Sequence, residues 1–398
     1  MIDLIKIGAA FFLIVLLLRL RWNFGLVMLG GAFFLGLLYR IGLVAQANVV
    51  LRSSIDMVTI NLVTGLVLIM VLENIIRKRG VLKRMMAAIV NVARDRRIAM
   101  AILPGVIGLL PSAGGAAFSA PMVQEAAADA EMTPEHKAFV NYWFRHIWEY
   151  ISPLYPGILL AAAITKTPVN MLLLSQLPLP LAVVGVGALL GFRGMKADKI
   201  KGQRNREQLT ELFLTLVPIA IPIILVVVFK QPLSIAMSVI VVALFLFYRY
   251  SMKDLITTLR ESISLNVILM VVGIMAFKGM LEASGAIEAL PVFFQQSGLP
   301  VSVVLFALPF IVGLVTGLTV AFVGATFPII MAMYGGAPDL GAITFAFASG
   351  FAGVMLSPTH LCLVLTVQYF KADLAGTYRL MYIPVLLVFL VGLIRLWV

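Results

Sequence analysis

Long apolar runs separated by short charged or Pro/Gly-rich segments follow one another along the whole chain. A helix needs about 20 predominantly apolar residues to cross the hydrocarbon core of a bilayer. Runs of this order predict spans at residues 4–20, 23–44, 58–76, 138–165, 172–192, 211–229, 233–248, 264–283, 342–369 and 379–396. The pattern therefore predicts an all-α polytopic membrane protein.

Two further apolar segments, 98–128 and 300–335, are too long for one span, and small or turn-forming residues interrupt each of them at mid-length. We interpret both as re-entrant hairpins that enter and leave the membrane on the same side. Non-helical backbone at membrane depth is tolerated where it is buried in protein or lines a cavity. The predicted fold is thus about ten transmembrane helices plus two re-entrant helical hairpins.

The chain also resembles itself at an offset of 205 residues. Glycine, proline and Ser-Pro positions coincide on this diagonal, and they carry more weight than coincidences among Val, Ile and Leu in so apolar a chain. The coincident positions are Asn61 with Asn266, Gly80 with Gly285, Pro104 with Pro309, Gly108 with Gly313, and Ser152-Pro153 with Ser357-Pro358. We infer two repeats, 1–200 and 207–398. Five spans in each repeat would invert the second copy relative to the first.

Composition and charge agree with a membrane protein. Only 12% of the residues are charged, against about 25% in soluble proteins, which excludes a water-soluble enzyme, a nucleic-acid binder and a disordered chain. With the predicted spans, 22 Lys and Arg residues fall on one side and six on the other. Because cytoplasmic loops carry the excess of Lys and Arg, both termini are expected outside the cytoplasm, in a prokaryotic inner membrane. Hairpin 98–128 is then cytoplasmic, and hairpin 300–335 lies on the outer side.

Four interruptions of the apolar pattern are candidate binding elements: the two hairpin tips and the two Ser-Pro sites within spans. A proline inside a helix removes a hydrogen bond, and the resulting half-helix N-termini favour anions, while freed carbonyls and hydroxyls suit sodium. The substrate-binding candidates are Ser112, Ala113, Gly114, Gly115, Ser152, Pro153, Thr316, Gly317, Thr319, Ser357, Pro358, Thr359 and His360. The alternative is a set of packing kinks solvated by Ser and Thr. His360 would donate to an anion, carry a proton, or only pack between helices.

Ionisable residues within spans are costly and tend to be functional. Together with two hydroxyls near the hairpin ends, they give the candidates for coupling ions or charge. These are Ser119, Thr326, Glu73, Lys278, Arg145, His146 and Glu149. Each charged group also has a structural alternative. Arg145 and Glu149 can pair along one helix face, Glu73 can belong to the interfacial charge cluster, and Lys278 can reach the outer interface.

The order of hairpins and Ser-Pro-broken helices resembles the ion transporter superfamily over essentially the whole chain. Within it, residues 109–121 (LLPSAGGAAFSAP) and 356–362 (LSPTHLC) resemble the domain-of-unknown-function 401 membrane proteins. The resemblance implies a transport domain of hairpins and broken helices that moves like an elevator against the scaffold of a homodimer. Dicarboxylate symporters of the superfamily carry Ser-Asn-Thr at their tips. Because this chain has Ser112-Ala113-Gly114 and Thr316-Gly317-Leu318, their specificity does not carry over.

We therefore expect a secondary active transporter, a symporter of a small organic or inorganic anion coupled to sodium or protons. It would have no enzymatic activity and no cofactor other than a bound sodium ion, and its partners would be the solute, the bilayer and a second copy. One alternative is a cation/proton antiporter, which needs a membrane-embedded carboxylate and would use Glu73 or Glu149. A non-transporting scaffold or receptor would leave the four interruptions without a purpose.

Overall fold

The computed structural model describes residues 2–93, 95–111, 115–128, 130–193, 195, 206–285, 300–335 and 339–397, and these ranges form helices joined by short connections. Five stretches are helical, long and apolar enough to cross a membrane by length and composition. They are Met57–Lys78, Val169–Gly191, Arg206–Val227, Leu265–Ala283 and Leu374–Arg395. A helical membrane protein is thereby confirmed. The number of crossings and the inverted relation of the halves stay predictions.

Helices cover every predicted span. The first half contains α1 (Ile2–Arg19), α2 (Phe24–Leu38), α3 (Leu43–Ile55), α4 (Met57–Lys78), α5 (Val81–Val92), α6 (Arg96–Ile107), α7 (Gly115–Ala126), α8 (Pro134–Arg145), α9 (Pro156–Thr165), α10 (Val169–Gln176) and α11 (Pro178–Gly191). The second half contains α12 (Arg206–Val227), α13 (Leu233–Phe247), α14 (Met252–Ser262), α15 (Leu265–Ala283), α16 (Val301–Thr316), α17 (Thr319–Met333), α18 (Leu340–Met355), α19 (Leu361–Phe370) and α20 (Leu374–Arg395). The predicted spans 138–165, 172–192 and 342–369 are each split into two helices, and in span 23–44 helix α2 ends at Leu38, before α3 begins at Leu43.

Several helices start at polar residues whose side chains cap the first turn of the helix. Side-chain oxygens of Asp56, Thr133, Asp339 and Asp373 accept hydrogen bonds from the first-turn N–H groups of α4, α8, α18 and α20. Such caps stabilise a helix by about 1 kcal/mol each because the first N–H groups have no partner within the helix. The charged and polar residues between apolar runs therefore define where these helices begin.

The helices sort into two groups by their contacts. One group, which we call the scaffold, comprises α1–α4 and α12–α15, with α2 packed along α15 and α4 along α13. The other, which we call the core group, comprises α6–α11 and α16–α20, in which α16 packs along α18 and α9 along α17. Helix α5 contacts both α12 of the scaffold and α6 of the core group. Fewer contacts join the two groups directly, chiefly α15 with α17 and α1 with α16.

Both predicted hairpin segments contain two helices that pack on each other, α6 with α7 and α16 with α17. Repeat-related positions also behave alike. Gly80 and Gly285 both adopt positive φ, at 64° and 73°. Asn61 accepts a hydrogen bond from Ser234 at the start of α13, and Asn266 accepts one from Asn23 at the start of α2. Each of the two asparagines thus contacts the start of a scaffold helix in the other half of the chain.

Candidate functional site

The chain between α8 and α9 leaves the α-helical path inside the protein. A single 3-10 turn, Ile147–Tyr150, follows Arg145 and His146, and the Ser152 hydroxyl then accepts a hydrogen bond from the N–H of Leu154. Pro156 begins α9 at the position where a missing N–H costs nothing. Ser152 is 2% exposed and Pro153 is also buried. The Ser-Pro site is therefore a true helix break within the core group.

The first hairpin reaches this break at the end of α6. The Tyr155 hydroxyl donates to the carbonyl of Gly108, and the indole N–H of Trp148 donates to the carbonyl of Gly105 at 2.8 Å. A side chain at Gly108 would collide with the backbone carbonyl of Arg145. The close approach therefore requires glycine at position 108. The tip residues Ser112, Ala113 and Gly114 lie outside the described residues, and Gly115 is buried at the start of α7.

The second hairpin reaches the same break through its own tip. Gly317 has φ of 65° and contacts the backbone of His360, whose Nδ1 lies 2.6 Å from the Gly317 carbonyl oxygen. The Thr319 hydroxyl donates to the Glu149 carboxylate at 2.7 Å. A side chain at Gly157, in the first turn of α9, would lie 2.5 Å from the Thr319 methyl carbon. The tip thus contacts both helix breaks.

The second Ser-Pro break separates α18 from α19. The Ser357 and Thr359 hydroxyls lie 2.9 Å apart, and the Thr359 hydroxyl donates to the Val315 carbonyl. Ser357 is fully buried, whereas Pro358 and Thr359 are exposed. These bonds tie the break to the end of α16, next to Thr316. The structure therefore brings the residues 316–319 and 357–360 together.

Three helices of the core group begin at this place without a side-chain cap. They are α9, α17 and α19, each preceded by a residue that makes no capping hydrogen bond through its side chain. In addition, the Cys362 thiol lies against the backbone N–H of Ala116 at the start of α7. The N-terminus of a helix carries about half a positive charge and exposes N–H donors. N–H donors at the starts of these helices therefore converge at this place.

Buried ionisable side chains surround the same break. Arg145 is 2% exposed, His146 is 1% exposed, and Glu149 and His360 are each 8% exposed. The His146 and His360 Nε2 atoms lie 3.0 Å apart, and a Glu149 carboxylate oxygen lies 3.7 Å from the His146 Nε2. Arg145 is close enough to act electrostatically on Glu149 and on Glu73 of α4. The sequence candidates Arg145, His146, Glu149 and His360 therefore form one cluster.

A cavity of about 370 Å³ lies between the scaffold and the core group. Its scaffold wall includes Glu73, Asn74 and Arg77 of α4, while Pro111 and Pro156 of the core group form the opposite wall. At its edge Glu261 contacts Lys78 at 2.5 Å, and this ammonium, with the Asn74 amide, holds the pKa of the Glu261 carboxyl below its usual value. Glu73 therefore faces a cavity that extends to the first hairpin and the first break.

Three other candidates lie apart from the cluster. Lys278 pairs with Glu282 at 3.5 Å and lines a smaller cavity of about 110 Å³ beside Lys166 at the far end of α9. The Thr326 hydroxyl donates to the Phe322 carbonyl in α17, and the Ser119 hydroxyl donates within α7 to the Ala116 carbonyl. Glu282 is thus a carboxylate partner of Lys278. The roles of all three stay predictions.

The sequence analysis passed over Asn141, which joins three elements of the core group. Its amide donates to the Ala116 carbonyl at 3.2 Å and to the Thr366 hydroxyl at 3.0 Å, and the side chain is fully buried. A polar residue in the apolar span 138–165 was the available signal, because such residues are expensive in a membrane. Asn141 holds the start of α7 and the middle of α19 against α8.

The two histidine Nε2 atoms lie at hydrogen-bond distance from each other. Two imidazole nitrogens on a tetrahedral zinc ion, with bonds of about 2.0–2.1 Å, lie about 3.3 Å apart, whereas the Nε2 atoms here are 3.0 Å apart. That distance falls in the range of an ordinary hydrogen bond with a nitrogen donor. The hydroxyls of Ser357 and Thr359 and the neighbouring carbonyls are the groups available to a sodium ion.

Comparison with known proteins places this arrangement in a family. The family model described as "Protein of unknown function (DUF401)" matches residues 6–398. No curated protein matches the chain. The match covers both hairpins, both breaks and both helix groups, as the resemblance of residues 109–121 and 356–362 predicted. The chain therefore belongs to the DUF401 family of proteins of unknown function.

Proposed function

We propose that the protein is a secondary active transporter of a small anion, coupled to sodium or protons. One observation carries the proposal: the uncapped N-termini of α9, α17 and α19 meet beside the buried Arg145, where both hairpins contact the α8–α9 break. Helix N-termini bind anions through free N–H groups and the helix dipole. Transporters use the same device, in which broken helices at mid-membrane supply the ends that hold the solute.

The cavity between the two helix groups supports a route for the solute. It connects Arg77, in the basic segment that ends α4, with Pro111 and Pro156 beside the breaks. Its volume, about 370 Å³, falls within the usual range of about 300–1,000 Å³ for small-molecule sites. We propose that the core group moves against the scaffold like an elevator, with α5 as the connecting arm. The scaffold would form the interface of a homodimer, and Arg77 would face the cytoplasm.

A cation/proton antiporter is the second candidate, and a specific observation favours it. Glu149 is a buried carboxylate at the break, and Glu73 lines the cavity. An antiporter needs such a membrane-embedded carboxylate to exchange a cation for a proton. The two candidates differ in their dependence on an anion, since an antiporter responds to sodium and pH gradients alone.

The experiment is electrophysiology and tracer uptake with the purified protein in liposomes. A panel of carboxylates and oxyanions is tested, each with and without a sodium or pH gradient, beside protein-free liposomes. We expect uptake of at least one anion against its gradient when a cation gradient is imposed. Currents driven by sodium or pH alone, with no anion dependence, would contradict the proposal and favour the antiporter.

A pair of variants tests whether the transport activity depends on this site. Arg145→Gln removes the buried cation at the break, whereas Lys278→Gln removes a cation that pairs with Glu282 at the far end of α15. We expect Arg145→Gln to abolish anion uptake and Lys278→Gln to retain it. Arg145→Lys, which keeps the charge, controls for folding, and monodisperse gel filtration is required of each variant. Equal uptake by Arg145→Gln and the wild type would refute the assignment of the site.

A further inference from the structure

The two histidines that meet at the site come from the two different helix breaks. His146 ends α8 and His360 precedes α19, yet their Nε2 atoms lie 3.0 Å apart and their rings meet edge to face. Both side chains are nearly inaccessible to solvent, at 1% and 8% exposure. The Tyr142 ring packs edge-on against both imidazoles. The pair is therefore held in a dry, closely packed place, where each hydrogen position matters.

The hydrogen bonds at Nδ1 determine which nitrogen carries hydrogen. The His146 Nδ1 lies 2.6 Å from the Tyr142 carbonyl oxygen, and the His360 Nδ1 lies 2.6 Å from the Gly317 carbonyl oxygen. A carbonyl oxygen only accepts, so each Nδ1 must donate. A neutral imidazole has a single N–H, and both Nε2 atoms would then present lone pairs to each other. Two lone pairs at this distance repel, and a proton between the two Nε2 atoms would remove that repulsion.

We propose that His146 and His360 share one proton and that this pair is the proton-coupling site of the transporter. The pair then carries one positive charge beside the tip of the second hairpin. This inference rests on the proposed function and extends it, since it selects protons over sodium as the coupling ion. It also gives the two Ser-Pro breaks a common purpose, because each supplies one half of the site.

The surrounding charges link the proton to an anion. The groups that face the pair are Arg145 and Tyr142 of α8, Glu149 of the 3-10 turn, Tyr155 before α9, and Cys362 of α19. The parts of α11, α18 and α20 that line the gap beside His146 are apolar there, with Val183, Phe351, Met355 and Val385.

The charges of Arg145 and Glu149 offset each other, so the shared proton leaves one positive charge. Moving that charge alone through a low-dielectric interior costs several kcal/mol, and a bound monoanion would neutralise it.

Loss of the proton would also change the contacts of the hairpin tip. Without it, one ring must move its hydrogen from Nδ1 to Nε2, and its Nδ1 then presents a lone pair to a carbonyl oxygen 2.6 Å away. Either the Tyr142 or the Gly317 contact is lost. The Tyr142 carbonyl is fixed within α8, whereas the Gly317 tip is followed by Leu318, which is 49% exposed. We therefore expect deprotonation to release the tip of the second hairpin.

Nitrogen NMR of the protein labelled with ¹⁵N-histidine tests the shared proton directly. The chain has three histidines, and His136, near the start of α8 and outside the pair, is an internal reference. At neutral pH we expect two Nδ1–H groups and one proton shared between two Nε2 atoms. Two neutral rings with no shared proton, or one equivalent of zinc per chain by metal analysis, would overturn the proposal.

The coupling role is tested in liposomes with His146→Asn and His360→Asn, whose amides can still donate to the carbonyls that Nδ1 contacts. We expect uptake driven by a pH gradient to fall about tenfold or more, and the remaining uptake to lose its dependence on the pH gradient. His136→Asn, the matched control, is expected to keep wild-type coupling. Retention of pH-driven accumulation by His360→Asn would overturn the proposal. If the wild type carries no anion, the proposed function and the coupling role are both overturned. If it takes up an anion but no proton is shared between the Nε2 atoms, the coupling role alone is overturned.

Discussion

The contact between Gly317 and His360 can be tested by adding a single methyl group. Gly317 has φ of 65°, and a Cβ built there would lie 2.8 Å from both the N and Cα atoms of His360. Gly80 has nearly the same φ, 64°, but a Cβ there meets nothing within 4 Å. The substitutions Gly317→Ala and Gly80→Ala therefore share the backbone strain, and the collision at the hairpin tip is what distinguishes Gly317→Ala.

The magnitudes follow from that comparison. An L-residue in the left-handed region destabilises the protein by about 1–2 kcal/mol, and this destabilisation is common to both variants. Overpacking against backbone adds about 1–3 kcal/mol for Gly317→Ala alone, because the backbone of His360 cannot rotate away as a side chain can. For a chain of this length, 1 kcal/mol corresponds to about 1–2 °C in Tm by the usual scaling. Gly317→Ala is therefore expected to melt about 1–6 °C below Gly80→Ala.

The assay is a melting curve of each purified variant in detergent, followed by anion uptake in liposomes. Gly80→Ala should transport like the wild type, since its methyl group enters open space. Gly317→Ala should lose uptake about tenfold or more, because a displaced tip separates the helix ends that bind the anion. If the two variants melt together and both transport normally, the tip does not contact His360 and the reasoning fails.

Three more predictions concern single hydrogen bonds. Thr319→Val removes the hydroxyl that donates to Glu149 and should reduce uptake strongly, while Thr319→Ser should keep most of it. Tyr155→Phe leaves the Gly108 carbonyl without its donor and should destabilise the protein by about 1–3 kcal/mol, measured as a lower Tm than that of Tyr382→Phe at an exposed site. Glu135 accepts the backbone N–H of Asp373, which holds its pKa below the ordinary 4.5. Its stabilisation is thus present above pH 4.5 and lost below it, so the Tm difference between wild type and Glu135→Gln should shrink on acidification.

Each of these has an outcome that would contradict it. Equal uptake by Thr319→Val and Thr319→Ser would show that the hydroxyl is not needed. Identical melting of the two tyrosine variants would show that the Gly108 carbonyl finds another donor. A Tm difference for Glu135→Gln that is constant from pH 7 to pH 3.5 would exclude the charge-assisted bond between the starts of α8 and α20.

The sequence predicted much of the fold because the bilayer constrains it strongly. A membrane-spanning backbone must satisfy its own hydrogen bonds, so apolar length alone indicates helices, and α4, α12, α15 and α20 lie close to the predicted limits. Prolines and glycines mark interruptions by local chemistry, so the breaks at Ser152-Pro153 and Ser357-Pro358 were visible too. The resemblance of residues 109–121 and 356–362 led to the family whose model matches residues 6–398.

The sequence predicted the candidate site only in part. The sequence singled out Arg145, His146, Glu149 and His360 as costly residues in spans, but it left open whether each one pairs locally, packs or functions. It considered Arg145 with Glu149 along one helix face, whereas the 3-10 turn carries the Glu149 carboxylate to Thr319 of the second hairpin. Lys278 shares a repeat position with Glu73, yet Glu73 lines the central cavity and Lys278 pairs with Glu282 elsewhere.

The sequence by itself thus determined that the chain is a helical membrane protein of this family and where its helices break, since these depend on local composition and hydrophobic length. Only the tertiary structure decided which breaks meet. His146 and His360 are 214 residues apart in the chain, and Tyr155 and Gly108 are 47 apart. Contacts at such separations depend on how the two helix groups pack, and on glycines that admit a neighbouring backbone. No local pattern encodes that packing, so the proposal of a proton shared by two imidazoles follows only from the folded arrangement.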